Sequence, residues 1–97
     1  MIKRLVKMTF KENSCEQFES IFYHYREKIA SAHGCQHLEL WRDVDHPNIY
    51  FTYSIWEGTD DLEQYRHSET FKVVWPLTKA LFEAPAVVHT VHEKELK

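Results

Sequence analysis

The sequence predicts an α+β fold in which helices cover one face of a four-stranded antiparallel sheet, in the ferredoxin-like order βαββαβ. Four segments alternate apolar and polar residues with a period of two, which is typical of strands. Two other segments repeat apolar residues every three or four positions, as an amphipathic helix does. The second and third strands are joined by a short polar turn, so they pair directly as an antiparallel hairpin.

The first strand and the first helix occupy the N-terminal third of the chain. Residues 2–10 alternate and form the strand. Ser14, followed three residues later by Gln17, fits a capping box at a helix start. An apolar stripe at helical spacing then continues to Ile29, and Gly34 is the residue type that commonly follows a helix C terminus.

The second and third strands, residues 36–44 and 49–56, carry large side chains on both faces. Leu38 faces one way and Trp41 the other, and Trp56 closes the third strand. A sheet that is apolar on both faces needs cover on both sides. The helices supply one cover, so we expect a homodimer in which a second copy packs sheet against sheet.

The second helical segment consists of two pieces. Thr59 is placed to cap the first piece and Ser68 to cap the second. Pro76 lies inside the second piece, so a kink or a break is expected near Trp75. Residues 86–92 alternate again and form the last strand.

Length and composition indicate one domain over residues 1–97, with 43% hydrophobic and 14% aromatic residues to build a core. The net charge is −3 and the basic residues are scattered, so we expect no nucleic-acid partner. No apolar run resembles a signal peptide or approaches the ~20 residues of a membrane span. We therefore expect a cytoplasmic protein with no membrane partner, whose Cys15 and Cys35 are reduced thiols.

The candidate site is the stretch from residue 50 to residue 75, which places two indoles, several tyrosines and a histidine on consecutive elements. The functional interpretation is a pocket for a small hydrophobic or aromatic molecule, with His67 as general base because histidine titrates near neutrality. Trp56 is the second candidate catalytic residue. The candidate substrate-binding residues are Tyr50, Thr52, Tyr65, Phe71 and Trp75. The alternatives are that the indoles only pack, and that His67 bonds an open carbonyl or faces water.

A metal site is not expected. His37 and Glu39 share one strand face, but no second pair of ligands has a recognisable spacing, and His89 and His92 fall on opposite faces. A polar cluster at a sheet edge or dimer contact is the commoner outcome of such a pair.

Four segments resemble the antibiotic biosynthesis monooxygenase family: IKRLVKMTFKENSCEQFESIF, GCQHLELWRD, YSIWEGTDDLEQYRHSETFK and AVVHTV. The resemblance implies a dimeric α+β barrel. Some members are cofactor-free oxygenases that convert polyphenols to quinones, so it also implies that neither metal nor flavin is needed. An electron-rich phenolate or enolate can itself reduce oxygen in an apolar pocket.

The resemblance assigns residues unevenly. Trp56 matches the tryptophan that closes the third strand of both the quinone-forming and the haem-degrading members. Thr52 stands where the quinone-forming members have asparagine, and Trp75 stands where the haem-degrading members have a histidine ligand, four positions after Phe71. Glu69 and Thr70 replace a proline and histidine that many members share. Haem degradation is thus the less favoured activity.

Two functions follow. The first is a cofactor-independent monooxygenase that oxidises a small aromatic or polyketide-like substrate. The alternative is a non-catalytic dimeric barrel that binds a small hydrophobic ligand, since the amide and imidazole of the better-understood members are replaced here.

Overall fold

The computed structural model describes residues 1–96 and has the predicted element order. Its elements are β1 (Ile2–Phe10), a 3-10 turn (Glu12–Ser14), α1 (Cys15–Ala30), β2 (Cys35–Arg42), β3 (Ile49–Trp56), α2 (Thr59–Arg66), α3 (Glu69–Lys79) and β4 (Phe82–Val91). The four strands form one antiparallel sheet in the order β2-β3-β1-β4. The ferredoxin-like α+β fold is therefore confirmed.

The two central strands set which side chains meet under the helices. Arg4 of β1 lies opposite Ser54 of β3 on one side and Thr90 of β4 on the other. Paired residues of neighbouring strands point to the same face of a sheet. Alternate β1 residues are buried on the helix side: Arg4, Val6, Met8 and Phe10. The predicted alternation of β1 is confirmed.

The core at one end of the helix layer is aromatic. Phe10 stacks on Phe18 with ring centroids 4.2 Å apart, and Tyr50 meets both rings edge-on at 5.6 and 5.2 Å. The Tyr50 hydroxyl donates a hydrogen bond to the Glu19 carboxylate. This cluster fixes α1 against β1 and β3.

The predicted helix starts are correct in part. The Ser68 hydroxyl accepts a hydrogen bond from the Phe71 N–H at 3.2 Å, as a cap should. Ser14 precedes α1, but its side chain makes no capping hydrogen bond, because the 3-10 turn before the helix leaves it in helical rather than extended geometry. Gly58, not Thr59, is the cap residue of α2, so the predicted start was wrong by one position.

A kink or a break was predicted near Trp75, and the structure shows that Pro76 does not break α3. The helix continues to Lys79, and the Ala80 N–H donates to the Pro76 carbonyl at 3.1 Å. A proline removes only its own N–H from the ladder. Burial of Thr78 and contact of Trp75 with the core hold the remaining turn in place.

Strand β4 begins four residues earlier than predicted, at Phe82. Its register against β1 shifts between Lys7 and Thr9 and again between Thr9 and Phe10. Pro85 lies in this irregular stretch of an edge strand, where a missing N–H is tolerated. The two bulges therefore extend the strand past a residue that would normally end it.

Gly34 connects α1 to β2 with a backbone φ of +83°. A Cβ atom at this position would overlap the side chain of Asp61 in α2. The Asp61 carboxylate also lies 2.9 Å from Nδ1 of His33. The left-handed glycine thus lets α2 dock closely on the end of the helix–strand connection.

The sheet face opposite the helices, which we call the open face, carries no helix among the described residues. Trp41 is 40% exposed there and stacks on Tyr53 with ring centroids 4.9 Å apart. Glu39 accepts a hydrogen bond from Trp41 Nε1 at 2.8 Å and also contacts His37, so the predicted polar cluster forms on edge strand β2. In the described part of the chain, no helix is long and apolar enough to cross a membrane.

Candidate functional site

A small chamber lies between the sheet and the helix layer, with a volume of about 70 Å³. Strands β1 and β3 form most of its floor, and helices α1 and α3, with Tyr65 of α2, form its cover. Five residues proposed from the sequence line it: Thr52, Trp56, Tyr65, Phe71 and Trp75. The fold thus gathers residues 23 positions apart in the chain at one place.

The wall of the chamber is a continuous series of aromatic rings. Trp56 stacks on Tyr65 with centroids 5.1 Å apart and planes 27° apart. Tyr65 meets Phe71 edge-on at 5.4 Å, and Phe71 stacks on Trp75 at 5.8 Å. These rings come from a strand end and two successive helices, so the order of the elements is what builds the wall.

Trp56 contributes surface to the chamber but no free donor. It is only 1% exposed, and its Nε1–H donates to the Ser54 hydroxyl at 3.0 Å. A buried indole usually needs such a partner. Because that N–H is already used, Trp56 can shape and orient a ligand through its ring but cannot hydrogen-bond it.

His67 lies away from the chamber, on the surface. Its side chain is 75% exposed, and Nε2 lies 3.0 Å from a Glu63 carboxylate oxygen. His67 is the residue that ends α2, and its backbone N–H bonds the carbonyls of Glu63 and Gln64. Because the helix ends there, the imidazole points outwards. This position agrees with the alternative that His67 faces water.

Tyr50 also lies outside the chamber, in the aromatic core beside Phe10 and Phe18. Its burial, with the hydrogen bond to Glu19, raises the pKa of the phenol well above its usual value. The position of Tyr50 therefore favours packing over substrate contact.

Arg4 is a charged chamber residue that the site prediction left out. It lies on central strand β1, is 9% exposed, and faces the chamber. Among the described residues it has no hydrogen-bond or ion-pair partner. Burial and then the charge of Arg66 lower the pKa of its guanidinium. The signal was present in the sequence, because Arg4 falls on the apolar face of an alternating strand, together with Val6 and Met8.

The other polar groups of the chamber are hydroxyls. Thr52, Ser54, Tyr65 and Thr78 each line it. Burial raises the pKa of Tyr65 to about 12, although the nearby Arg4 charge opposes this rise. Tyr65 therefore carries its proton at neutral pH, and its hydroxyl can donate a hydrogen bond to a ligand oxygen.

The chamber is smaller than a typical ligand site. Small-molecule pockets begin near ~300 Å³, and even a cavity that binds benzene measures about 150 Å³. At about 70 Å³ it has no room for an aromatic ring without movement of its lining. On α3, the lining side chains Phe71, Val74 and Trp75 are partly buried, so they are less constrained than the buried lining residues Trp56 and Thr78.

No metal cluster accompanies the chamber. Within residues 1–96, no three His, Cys, Asp or Glu side chains gather as metal ligands would. His37 and Glu39 instead bond each other on the open face. Cys15 and Cys35 are both free thiols, and burial raises the pKa of Cys35.

The fold and the chamber together define a class of small ferredoxin-like α+β proteins with an aromatic chamber between the sheet and the helices. The chain belongs to the antibiotic biosynthesis monooxygenase family, whose model matches residues 1–74. The resemblance found in the sequence is thereby confirmed. No curated protein sequence matches the chain.

Solved structures with the same fold are numerous and distant in sequence. A conserved protein from Methanosarcina mazei Go1 is 19% identical with a TM-score of 0.92, over 96% of this chain and 92% of that one. An antibiotic biosynthesis monooxygenase is 18% identical with a TM-score of 0.92, over 98% and 100%. A variant of SnoaB, a cofactor-independent oxygenase from Streptomyces nogalater, is 18% identical with a TM-score of 0.86, over 98% and 94%. At these identities the likeness shows the fold.

Proposed function

We propose that the protein is a cofactor-independent monooxygenase that oxidises a small electron-rich phenol or polyketide-like molecule to a quinone. The observation that carries the proposal is the continuous aromatic wall around the chamber, formed by Trp56, Tyr65, Phe71 and Trp75. Membership of the family and the shared fold with a cofactor-independent oxygenase support it.

The proposed reaction uses the substrate as its own reductant. A phenolate gives one electron to O2, and the superoxide and phenoxyl radical then join at the para carbon. The peroxide takes up a proton, and loss of the ring hydrogen with cleavage of the O–O bond leaves a quinone and water. One phenol and one O2 thus yield one quinone and one water.

The chain supports this reaction by binding and by hydrogen bonding. Trp56, Phe71 and Trp75 hold a planar ring and exclude water from it. Tyr65 and Thr52 supply hydroxyl donors to the oxygen on which negative charge develops, and such donors are strongest in a water-poor site. Tyr50 and His67 have no place in this scheme, since both lie away from the chamber.

A second candidate is a binding protein without turnover. This candidate is favoured by the protonation states of the titratable groups that line the chamber. Among the described lining residues these groups are Arg4 and Tyr65. Neither takes up a proton near neutral pH, so neither is suited to act as general base. Tight binding of an aromatic ligand in air with no oxygen uptake would favour this candidate.

We also propose that the protein is a homodimer formed through the open face. Trp41, Val87 and Val91 lie on the open face, which no helix among the described residues covers. They are between 40% and 49% exposed. Trp41 and the two valines lie on opposite edge strands, and the partly buried Tyr53 and Leu5 lie between them on the same face. A contiguous exposed apolar patch marks an interaction site. A second copy of the same face would cover it with matching aromatic and aliphatic groups.

The function is tested by blocking the chamber from α3. Val74 lines the chamber, whereas its neighbour Val73 is 44% exposed and faces away. Val74→Phe places a ring in the chamber, and Val73→Phe adds the same ring at the surface as the matched control. Oxygen uptake is measured with a panel of naphthols and anthrone-type phenols, each with hydrogen on the para carbon, in the presence of a chelator.

We expect wild type and Val73→Phe to consume oxygen at similar rates. Val74→Phe should lose about a hundredfold in kcat/KM, since misplacing a substrate by about 1 Å costs that much. Equal rates for the two variants would remove the chamber from the reaction. No uptake by wild type with any substrate would contradict the proposed activity.

A further inference from the structure

Arg4 is a largely buried cation whose nitrogens still reach the chamber or solvent, because no fully buried side-chain nitrogen or oxygen of residues 1–96 lacks a hydrogen-bond partner. Its side chain is 9% exposed, and the described residues offer it neither an ion pair nor a hydrogen bond. A guanidinium stays charged in proteins and carries five N–H donors. Burying such a group without a partner costs free energy. A position of this kind is expected where a ligand supplies the missing partner.

The nearest carboxylate is committed elsewhere. Glu63 lies close enough to influence Arg4, but one of its oxygens is 3.2 Å from Arg66 Nη1 and the other is 3.0 Å from His67 Nε2. Arg66 is paired with Glu63 and does not line the chamber, so Arg4 is the charged group that the described lining presents. The chamber therefore presents a net cationic group within apolar walls.

The strand holds Arg4 in a fixed place. β1 is hydrogen-bonded on both sides, and Arg4 lies opposite Ser54 and Thr90. Ser54 in turn accepts the hydrogen bond of Trp56. Trp56 is the next residue after Ser54 on the same face of β3, so the cation lies beside the start of the aromatic wall. A ring against this wall would bring a substituent oxygen to the guanidinium.

We infer that Arg4 binds the negative charge of the substrate, and that the ligand class is a small planar aromatic oxyanion, either a phenolate or an aromatic carboxylate. The inference deepens the proposed function, because it concerns the same chamber. Guanidinium pairs with two oxygens through parallel hydrogen bonds and also stacks on rings, so it suits such an ion. Tyr65 shows that burial in this chamber raises the pKa of a phenol and that the charge of Arg4 opposes the rise. The cation therefore lowers the pKa of a bound phenol relative to a chamber that lacks it.

The test uses probes whose charge is visible. 4-Nitrophenol is coloured only as the phenolate, so its absorbance during a pH titration gives the pKa of the bound probe. The affinities of 4-nitrobenzoate and its neutral analogue 4-nitrobenzamide measure preference for a carboxylate. Wild type, Arg4→Met, Arg4→Lys and Arg66→Met are compared, and Arg66→Met is the matched control because it removes a nearby exposed charge that does not line the chamber.

In wild type and Arg66→Met, the pKa of bound 4-nitrophenol is expected to lie about 1–3 below its value in Arg4→Met, or the benzoate is expected to bind at least about tenfold more tightly than the amide. The first result identifies a phenolate site and the second a carboxylate site. Arg4→Met should lose the preference for benzoate, and Arg4→Lys should keep the lower pKa because it keeps the charge. Arg4→Met should fold, since replacing a buried unpaired charge with an apolar side chain removes a desolvation cost.

The inference is overturned if wild type binds charged and neutral probes alike or binds none. It is also overturned if Arg4→Met retains the charge preference, if Arg4→Lys loses it, or if Arg66→Met loses as much as Arg4→Met. None of these readouts requires turnover. A charge preference without oxygen uptake would therefore refute the monooxygenase proposal and leave the anion site standing, whereas uptake without charge preference would do the reverse.

Discussion

Tyr65 joins the two chemical features of the chamber, because it stacks on Trp56 and interacts electrostatically with Arg4. Burial raises its pKa from 10.0 to about 12. Folding thus favours the protonated phenol. The resulting contribution to the free energy of unfolding is fully present below pH ~10 and is lost as the pH rises through ~12. Between these values the folded protein holds a proton that the unfolded chain has released.

The free energy of unfolding should therefore fall with rising pH across this window, and it should fall less steeply in Tyr65→Phe. Urea unfolding at several alkaline pH values measures the slope. Tyr23→Phe is the control, because Tyr23 is 70% exposed. The pKa of Tyr50 is also raised, and Tyr50 contributes equally to the slope in wild type and in both variants. Equal slopes for Tyr65→Phe and the control would contradict the assigned burial.

Single residues were predictable only as far as their elements fix their direction. Thr52 and Trp56 alternate on β3, and Phe71 and Trp75 share a face of α3, so periodicity was sufficient to bring them together. His67 ends a helix, where direction depends on tertiary docking rather than on period. Arg4 was visible as a charge on an apolar face, but its lack of a partner becomes evident only once every neighbour is placed.

At the scale of elements, Gly34 controls how α2 docks on the start of β2. Gly34→Ala should lower the free energy of unfolding by about 1–2 kcal/mol from the left-handed backbone alone, with a further loss because the methyl group meets Asp61. Urea denaturation measures the change. Gly58→Ser is the control, since Gly58 has extended backbone and serine is a good cap. A loss for Gly58→Ser as large as for Gly34→Ala would contradict this assignment.

Element boundaries followed from local signals wherever no tertiary contact opposed them. The alternation of β1 and β3 was sufficient to place these two strands, and the Ser68 cap was sufficient to place the start of α3. Pro76 was expected to kink or break its helix and the last strand was expected to start after Pro85, yet each proline lies inside an element. Packing of α3 on the core outweighs one lost hydrogen bond, and two bulges let β4 continue past Pro85. Such compensation is set by the partner element, which the local sequence does not reveal.

At the scale of the whole molecule, the open face predicts association. Tyr53 is partly buried there and stacks under Trp41. Tyr53→Glu should dissociate the dimer, because an unpaired carboxylate in an apolar interface costs several kcal/mol. Light scattering should give twice the 11.7 kDa chain mass for wild type and the single mass for the variant.

The control for association is Tyr23→Glu, which places the same charge at an exposed tyrosine of α1, a helix on the other side of the sheet. It should remain dimeric. A wild type that is monomeric at micromolar concentration, or a Tyr53→Glu variant that stays dimeric, would contradict the proposed sheet-to-sheet pairing.

The fate of the oxygen atoms tests the proposed function most directly. Chelator-treated wild type, turning over an anthrone-type phenol whose para carbon carries hydrogen, under heavy-isotope dioxygen, should place one labelled oxygen in the quinone and the other in water. The label should disappear from the product of Val74→Phe and remain in that of Val73→Phe. A product without label, or a labelled product formed equally with the chamber blocked, would contradict monooxygenation in the aromatic chamber.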